Sequence, residues 1–117
     1  MIKLMPVSEI PDESRKVVEV GTRKVLIIHS GGQFFAVDNQ CPHMRLPLAN
    51  GKLTEDYAII CPFHHSAFDL ASGDVKEWTP WPPLVGKALG VIAREKALLV
   101  FHTEIQDGYL WIEPEPS

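Results

Sequence analysis

The only two cysteines of this chain each stand close to a histidine, and this feature restricts the fold more than any other. One residue separates Cys41 from His43, two residues separate Cys61 from His64, and seventeen residues lie between the two pairs. With five histidines among 117 residues, such a double coincidence is rare. Because thiolates and imidazoles are common metal ligands, the sequence predicts a metal site built from two loops.

Three interpretations of these four residues are open at this point. Buried or disulfide-linked cysteines with incidental histidines would require both spacings to arise by accident. A zinc ion accepts two thiolates and two imidazoles, but zinc fingers usually place both cysteines in one loop and both histidines in the other. One cysteine and one histidine in each loop suits a cluster of two irons, in which one iron takes the thiolates and the other takes the imidazoles.

Length and composition fit a small globular domain that needs no cross-links. Eleven Lys and Arg against fifteen Asp and Glu give a net charge of -4, which disfavours nucleic-acid and anionic membrane surfaces. The longest apolar runs are far shorter than the roughly 18 residues that span a bilayer. The N-terminus lacks the pattern of a secretory signal. We therefore predict a cytoplasmic protein that binds neither membranes nor nucleic acid.

Short β-rich segments separated by turn residues predict an all-β fold. A Gly-Gly pair favours a tight hairpin, and a proline-rich segment over 79–83 predicts a rigid loop. No helical periodicity is convincing, so we expect an antiparallel β sandwich or barrel. The predicted strands cover 15–20, 24–29, 33–37, 57–60, 67–70, 91–93, 97–101 and 109–112.

The length of the chain predicts one domain over residues 1–117. The two cysteine loops, over about 38–73, are expected to be inserted in a β base. That base would be formed by residues of about 1–37 and 74–112.

The cysteine and histidine pattern resembles that of Rieske-type [2Fe-2S] proteins. Residues 34–43 are similar to the strand that delivers their first ligand loop, and residues 61–73 to the second loop with its exit strand. Residues 79–83 are similar to the proline-containing loop that covers the cluster. Nearly the whole chain, from about Ser8 to about Ile112, can be laid on the small Rieske-type ferredoxins. The resemblance implies an antiparallel β fold with a two-loop cluster-binding subdomain.

The resemblance also implies a role for each residue of the pattern. Cys41 and Cys61 would bind one iron of a [2Fe-2S] cluster as thiolates, and His43 and His64 would bind the other through Nδ1. Two neutral imidazoles in place of two thiolates make the cluster less negative. The reduction potential is therefore higher, by on the order of hundreds of millivolts, than that of an all-cysteine cluster.

Neighbouring positions imply how the cluster environment is tuned. Ser66 stands where high-potential relatives have a serine that bonds a bridging sulfide, and Phe68 stands where they have a tyrosine that bonds a cysteine sulfur. Pro82 lies in the segment similar to the covering loop, and His65 replaces a glycine common after the second ligand histidine. With one of the two hydrogen bonds kept, we expect a potential at the low end of the Rieske range or modestly above it.

Missing features narrow the predicted function. The extra cysteine in each ligand loop of cytochrome bc-type Rieske subunits is absent, no membrane anchor is expected, and the length leaves no room for the mononuclear iron domain of Rieske oxygenases. The resemblance therefore implies a one-electron carrier, not itself an enzyme, that passes electrons from a flavin-containing reductase to a terminal oxidoreductase such as a Rieske dioxygenase. One alternative is the small subunit of an NADH-dependent nitrite reductase-like enzyme. A structural zinc-binding module is a minor alternative.

Overall fold

The computed structural model describes residues 1–40, 47–62, 66–77 and 97–116. A 3-10 helix covers Val7–Glu9. Within the described residues, no helix has the length and apolar character needed to cross a membrane. The strands are β1 (Ile2–Pro6), β2 (Ser14–Val20), β3 (Arg23–Ser30), β4 (Gln33–Asp38), β5 (Lys52–Leu53), β6 (Ala58–Ile60), β7 (Ala67–Asp69), β8 (Val75–Glu77), β9 (Val100–Phe101), β10 (Thr103–Gln106) and β11 (Tyr109–Ile112).

The chain divides into two compact units. The base unit consists of Met1–Asp38 and Leu99–Ser117, and the loop unit consists of Asn39–Leu98. The base unit contains two antiparallel sheets, with strand orders β1-β11-β10 and β2-β3-β4-β9. The loop unit contains a third antiparallel sheet, with strand order β5-β6-β7-β8. The predicted all-β antiparallel fold is confirmed.

Two tight hairpins set the strand register of the base unit. Ser30 pairs with Gln33 across the β3–β4 turn, so Gly31 and Gly32 form a two-residue loop with φ values of 60° and 76°. Positive φ at both central positions is the requirement of a type I′ turn, whose twist matches that of the flanking strands. The β10–β11 hairpin uses the pair Asp107–Gly108 in the same way, with φ values of 53° and 78°.

Acidic residues before β2 support the first of these hairpins. The Glu13 carboxylate accepts the Gly31 N–H at 3.1 Å, and the Asp12 carboxylate accepts the Gly32 N–H at 3.0 Å. The Ser30 hydroxyl also donates to Glu13, at 3.2 Å. These bonds satisfy turn amides that no strand partner reaches.

The core of the base unit is formed by apolar side chains from both of its sheets. Residues Val25 and Ile27 of β3 contribute one face of the four-stranded sheet, because alternate residues of a strand point to the same side. Leu110 and Ile112 contribute the inner face of β11, and neither is exposed. The buried members of this cluster are Met5, Ile10, Val20, Val25, Ile27, Ala36, Phe101, Leu110 and Ile112.

The loop unit has short strands that are joined by hydrogen-bonded turns. The four strands among its described residues are two or three residues long. In the turn after β7, the Asp69 carboxylate accepts both the N–H and the hydroxyl of Ser72, each at 2.9 Å. The Ser72 hydroxyl oxygen in turn accepts the Asp74 N–H at 3.1 Å. The predicted turn over residues 71–74 is therefore present.

The predicted strands and the observed ones agree best in the base unit. Strands predicted over 15–20, 24–29 and 33–37 are confirmed to within one residue at each end. The strand predicted over 97–101 is shorter, because only Val100–Phe101 pair with β4. The 91–93 strand and the 79–83 loop lie outside the described residues.

Four strands were not predicted from the sequence. β1, β5 and β10 mix polar, charged and apolar residues, and β8 begins a segment with little alternation. Their extended conformation is fixed by partners elsewhere in the chain. The predicted insert over about 38–73 in a β base stays a prediction.

Candidate metal centre

Cys61 lies at the end of β6 and is completely buried. Its backbone N–H donates to the Ser66 carbonyl oxygen at 2.8 Å, and Ser66 is also completely buried. This bond closes the base of the second cysteine loop. The thiol is therefore held at a defined position where the strand ends and the loop begins.

The local sequence explains why a loop forms at this point. Ala58–Ile60 and Ala67–Asp69 pair as an antiparallel hairpin in which Ile60 lies opposite Ala67. Apolar side chains of these strands pack in the interior of the loop unit, where Ile59 and Phe68 are completely buried. The second cysteine loop is the connection between these two strands.

The start of this hairpin is fixed by a second set of hydrogen bonds. The Thr54 hydroxyl oxygen accepts the Ala58 N–H at 3.0 Å, and the same hydroxyl donates to the Asp56 carboxylate. Tyr57 adopts a positive φ of 58°, and its carbonyl oxygen accepts the Leu70 N–H at 2.9 Å. The strand that leads to Cys61 therefore begins at a fixed turn.

A side chain closes the first cysteine loop. Asn39 is 8% exposed, and its Oδ1 accepts the N–H of the completely buried Leu48 at 3.1 Å. The two residues bracket Cys41 and His43 in the sequence. Asn39 has no feature in the sequence that indicates this role, because asparagine beside a loop is typical of turns. Its position two residues before Cys41 was the one available signal.

A cavity of about 260 Å³ adjoins the second cysteine loop. The lining is mostly apolar and includes Lys52, whose strand position lies opposite Ile60. The lining residues are Asn50, Lys52, Ile60, Cys61 and Pro62. The cavity therefore lies against Cys61 and Pro62, at the start of the second cysteine loop.

The structure describes two of the six residues predicted to bind or adjoin a cluster. Cys61 and Ser66 are brought together by the hydrogen bond between them. The other four, Cys41, His43, His64 and Pro82, lie outside the described residues. Within the four described ranges alone, no group of three or more His, Cys, Asp and Glu could hold a metal ion.

The predicted donor set is chemically suited to a two-iron cluster. A completely buried thiolate needs a compensating positive charge, because an isolated charge is costly in an apolar interior. Ferric iron bound to Cys61 would supply that charge, and the adjoining cavity offers room beside the loop. Two thiolates and two imidazoles are also the ligand set of mixed-ligand [2Fe-2S] centres.

Two histidines outside the predicted ligand set have structural partners in the base unit. His29 Nδ1 lies 2.7 Å from the Ile10 carbonyl oxygen, so this nitrogen carries the proton and donates. The His29 ring also stacks on Phe34 with ring centroids 4.0 Å apart. His102 lies at the surface, with Nε2 3.3 Å from the Glu104 carboxylate. Both imidazole rings therefore contact other residues of the base unit.

Comparison with known families identifies one match over most of the chain. The model of the Rieske [2Fe-2S] domain family matches residues 1–104. This range contains both pairs of cysteine and histidine. It also covers nearly all of the two units that the structure describes.

Individual relatives match part of the chain. The ferredoxin component of the alkene monooxygenase system of Xanthobacter autotrophicus is 35% identical over 72 residues, which are 62% of this chain and 59% of that protein. Apoptosis-inducing factor 3 of Mus musculus is 32% identical over 72 residues, which are 62% of this chain and 12% of that protein. The match thus spans less than two thirds of the length of either relative.

A solved structure extends the likeness to the whole fold. A chain in the complex of reduced oxygenase and oxidised ferredoxin of carbazole 1,9a-dioxygenase has a TM-score of 0.76 and is 26% identical. The match covers 99% of this chain and 94% of that chain. The predicted Rieske-type β architecture is therefore confirmed.

Proposed function

Because this chain belongs to the Rieske [2Fe-2S] domain family, we propose that it is a one-electron carrier. In this proposal, Cys41 and Cys61 bind one iron, and His43 and His64 bind the other. The observation that carries the proposal is the family match over residues 1–104, which includes all four ligand positions. The match spans both units, and we include both in one cluster-binding domain.

The described residues of the loop unit suit this role. A bound [2Fe-2S] cluster accepts and releases one electron. The hydrogen bond between the Cys61 N–H and the Ser66 carbonyl oxygen holds the Cys61 backbone at the start of the second loop. Complete burial of Cys61 excludes water from that sulfur.

The proposed partners are a flavin-containing reductase as donor and a terminal oxygenase as acceptor. A relative from Xanthobacter autotrophicus is the ferredoxin component of an alkene monooxygenase system. The solved carbazole 1,9a-dioxygenase complex contains both an oxygenase and a ferredoxin. Both support a carrier that serves an oxygenase, with the substrate reaction carried out by the partner. A reducing cytoplasm, in which thiolates persist, is the proposed location.

Metal analysis and spectroscopy test the proposed cluster directly. Purification without chelator should yield about two irons and two acid-labile sulfides per chain. After reduction with dithionite, the coupled ferric and ferrous ions should give an EPR signal from a half-integer spin. A colourless, EPR-silent protein that contains zinc would overturn the proposal.

Two adjacent histidines provide a matched test of the ligand assignment. His64→Ala removes a proposed ligand and should abolish the mixed-ligand EPR signal. His65→Ala removes the neighbouring imidazole and should leave two irons and the signal in place. The reverse result would move the ligand to His65 and change the spacing of the second pair.

Transfer of the electron is tested with the reduced protein. Anaerobic mixing with an oxidised Rieske-type terminal oxygenase should reoxidise the reduced protein. The visible spectrum of the cluster reports this reoxidation. A reduced protein that keeps its electron with oxygenases, and copurifies with a large reductase chain, would instead indicate a permanent enzyme subunit.

A further inference from the structure

The entrance to the first ligand loop is tied to its exit by one side chain. Asn39 Oδ1 accepts the Leu48 N–H at 3.1 Å, and both residues are buried. The bond brings together two points nine positions apart in the sequence. Cys41 and His43 both lie between them. Because the amide is only 8% exposed, water is a poor substitute for this acceptor.

The exit of the loop then turns directly into β5. The Gly51 N–H donates to the Leu48 carbonyl oxygen at 2.8 Å, which closes a four-residue turn. Lys52 follows at once and lies opposite Ile60 in the β5–β6 pair. The backbone that leaves the first ligand loop therefore runs beside the strand that leads into the second.

Gly51 permits this close approach because it has no side chain. A Cβ atom at this position would lie 2.6 Å from the Ile60 carbonyl oxygen and 2.9 Å from Ile59 Cγ1. It would also lie 3.0 Å from the Leu48 carbonyl oxygen. Two of these neighbours are backbone atoms of ordered segments, so a methyl group requires the two segments to separate. Gly51 thus determines the distance between the backbone at the exit of the first loop and Ile60, the residue before Cys61.

The second loop is closed independently of this contact. The Cys61 N–H donates to the Ser66 carbonyl oxygen at 2.8 Å, and both residues are completely buried. Among the described residues, the first ligand loop is closed by a side chain at its base and the second by the backbone. The contact at Gly51 is where the first loop meets the strand of the second.

We propose that Asn39 and Gly51 are positioning residues that fix the separation of the two ligand loops for the cluster. The proposal rests on the proposed function, in which each loop supplies one thiolate and one imidazole. A cluster that bridges two loops tolerates little change in their separation, because iron–ligand distances are narrowly defined. Asn39 sets the width of the first loop, and Gly51 sets its distance from the strand that precedes Cys61.

The test compares two variants of this contact with a glycine variant elsewhere. Asn39→Leu keeps the side-chain size and removes the acceptor, and Gly51→Ala adds the Cβ that the contact excludes. Gly32→Ala is the control, since a Cβ at Gly32 meets nothing within 4 Å but its φ of +76° strains any other residue. The control therefore strains a turn of the base unit without crowding the ligand loops.

Three properties of each variant are measured. Loss of the visible spectrum in excess EDTA reports cluster release, the reduced EPR line shape reports ligand geometry, and the urea midpoint reports stability. Asn39→Leu and Gly51→Ala should release the cluster about tenfold faster than the wild type and change the EPR line shape. Gly32→Ala should lower the urea midpoint and leave the line shape unchanged.

A further variant keeps the proposal testable if Gly51→Ala fails to fold. Asn39→Asp keeps an acceptor oxygen at the same reach and should release the cluster more slowly than Asn39→Leu. Equal release from wild type, Asn39→Leu and Gly51→Ala would overturn the positioning role, as would equally fast release from Gly32→Ala. A wild-type protein that contains no iron–sulfur cluster would overturn the proposed function instead.

Discussion

The base unit and the loop unit reach a defined structure by different means. In the base unit, β2, β3 and β4 are six to eight residues long and pair continuously. In the loop unit, strands of two or three residues alternate with turns held by individual hydrogen bonds. Long ladders and a shared core stabilise the base unit. The loop unit combines short ladders and buried side chains such as Ile59 and Phe68 with turns held by single hydrogen bonds, and we expect the proposed cluster to add to its stability.

The two units also differ in charge. The base unit has five Lys and Arg against nine Asp and Glu, whereas the loop unit has six of each. The net charge of -4 is therefore carried entirely by the base unit. A proposed cluster in the neutral unit gains an electron with less electrostatic repulsion than it would meet among the acidic residues of the base.

Removal of the cluster should produce the largest difference between the two units, because it should raise the amide exchange rates of the loop unit and leave those of the base unit unchanged. We expect amide exchange in the apoprotein to accelerate by about a hundredfold or more at Cys61 and Leu70, because metal binding stabilises the segments that supply the ligands. Amides of β3 should keep their protection. Hydrogen exchange of the holoprotein and apoprotein, followed by NMR, measures both. Equal acceleration in the two units would show that they depend equally on the cluster.

Truncation in the core of the base unit should reduce stability and leave the redox properties unchanged. Ile27 is completely buried in the base-unit core. Ile27→Ala should lower the free energy of unfolding by about 2–5 kcal/mol. Ile105 is 56% exposed, so Ile105→Ala should change it by less than about 0.5 kcal/mol. Urea unfolding measures both, and a changed reduction potential in Ile27→Ala would contradict the separation of roles.

The turn after β7 tests the dependence of the loop unit on single contacts. Asp69→Ala removes the acceptor of two hydrogen bonds from Ser72. We expect a loss of about 1–2 kcal/mol in the free energy of unfolding. Asp69→Asn keeps one acceptor oxygen and should lose less. Equal losses in both variants would indicate that the charge, and not the turn geometry, stabilises this segment.

The smallest expected effect is on the reduction potential. If the buried Ser66 bonds the cluster as its position implies, Ser66→Ala should lower the potential by on the order of 40 mV, which corresponds to about 1 kcal/mol for one electron. Ser14, whose hydroxyl donates to the Pro11 carbonyl oxygen in the base unit, is the matched control. Ser14→Ala should leave the potential unchanged. Redox titration followed by EPR compares them, and an unchanged potential in Ser66→Ala would remove Ser66 from the cluster environment.

Sequence patterns predicted the long strands of the base unit because their signals are local. Apolar and β-branched residues in β2, β3 and β4 favour strands by themselves, and Gly31–Gly32 can adopt the φ values that their turn needs. β1 and β10 have no comparable signal. β1 is extended because Ile2 pairs with Ile112 near the other end of the chain. No pattern within β1 contains that information.

The hydrogen bonds made by polar side chains could not be predicted from the sequence either. Asp12 and Glu13 are residue types typical of a solvated loop. Their carboxylates nevertheless accept hydrogen bonds from the backbone N–H groups of Gly31 and Gly32. Glu13 adopts a φ of 63° to do so. Such bonds depend on which segments approach each other in three dimensions. From the sequence alone, a charged residue near a loop is compatible with many different hydrogen-bond partners or with none.

By itself, the sequence determined the family and the predicted ligand set, because residue type and spacing define which metal chemistry is possible. Four donors in two loops, at Cys41, His43, Cys61 and His64, were sufficient for that inference. Only the tertiary structure decided how the loops are supported. The acceptor role of Asn39 and the space requirement at Gly51 arise from segments that meet through folding, and distance in space cannot be derived from the spacing of residues along the chain.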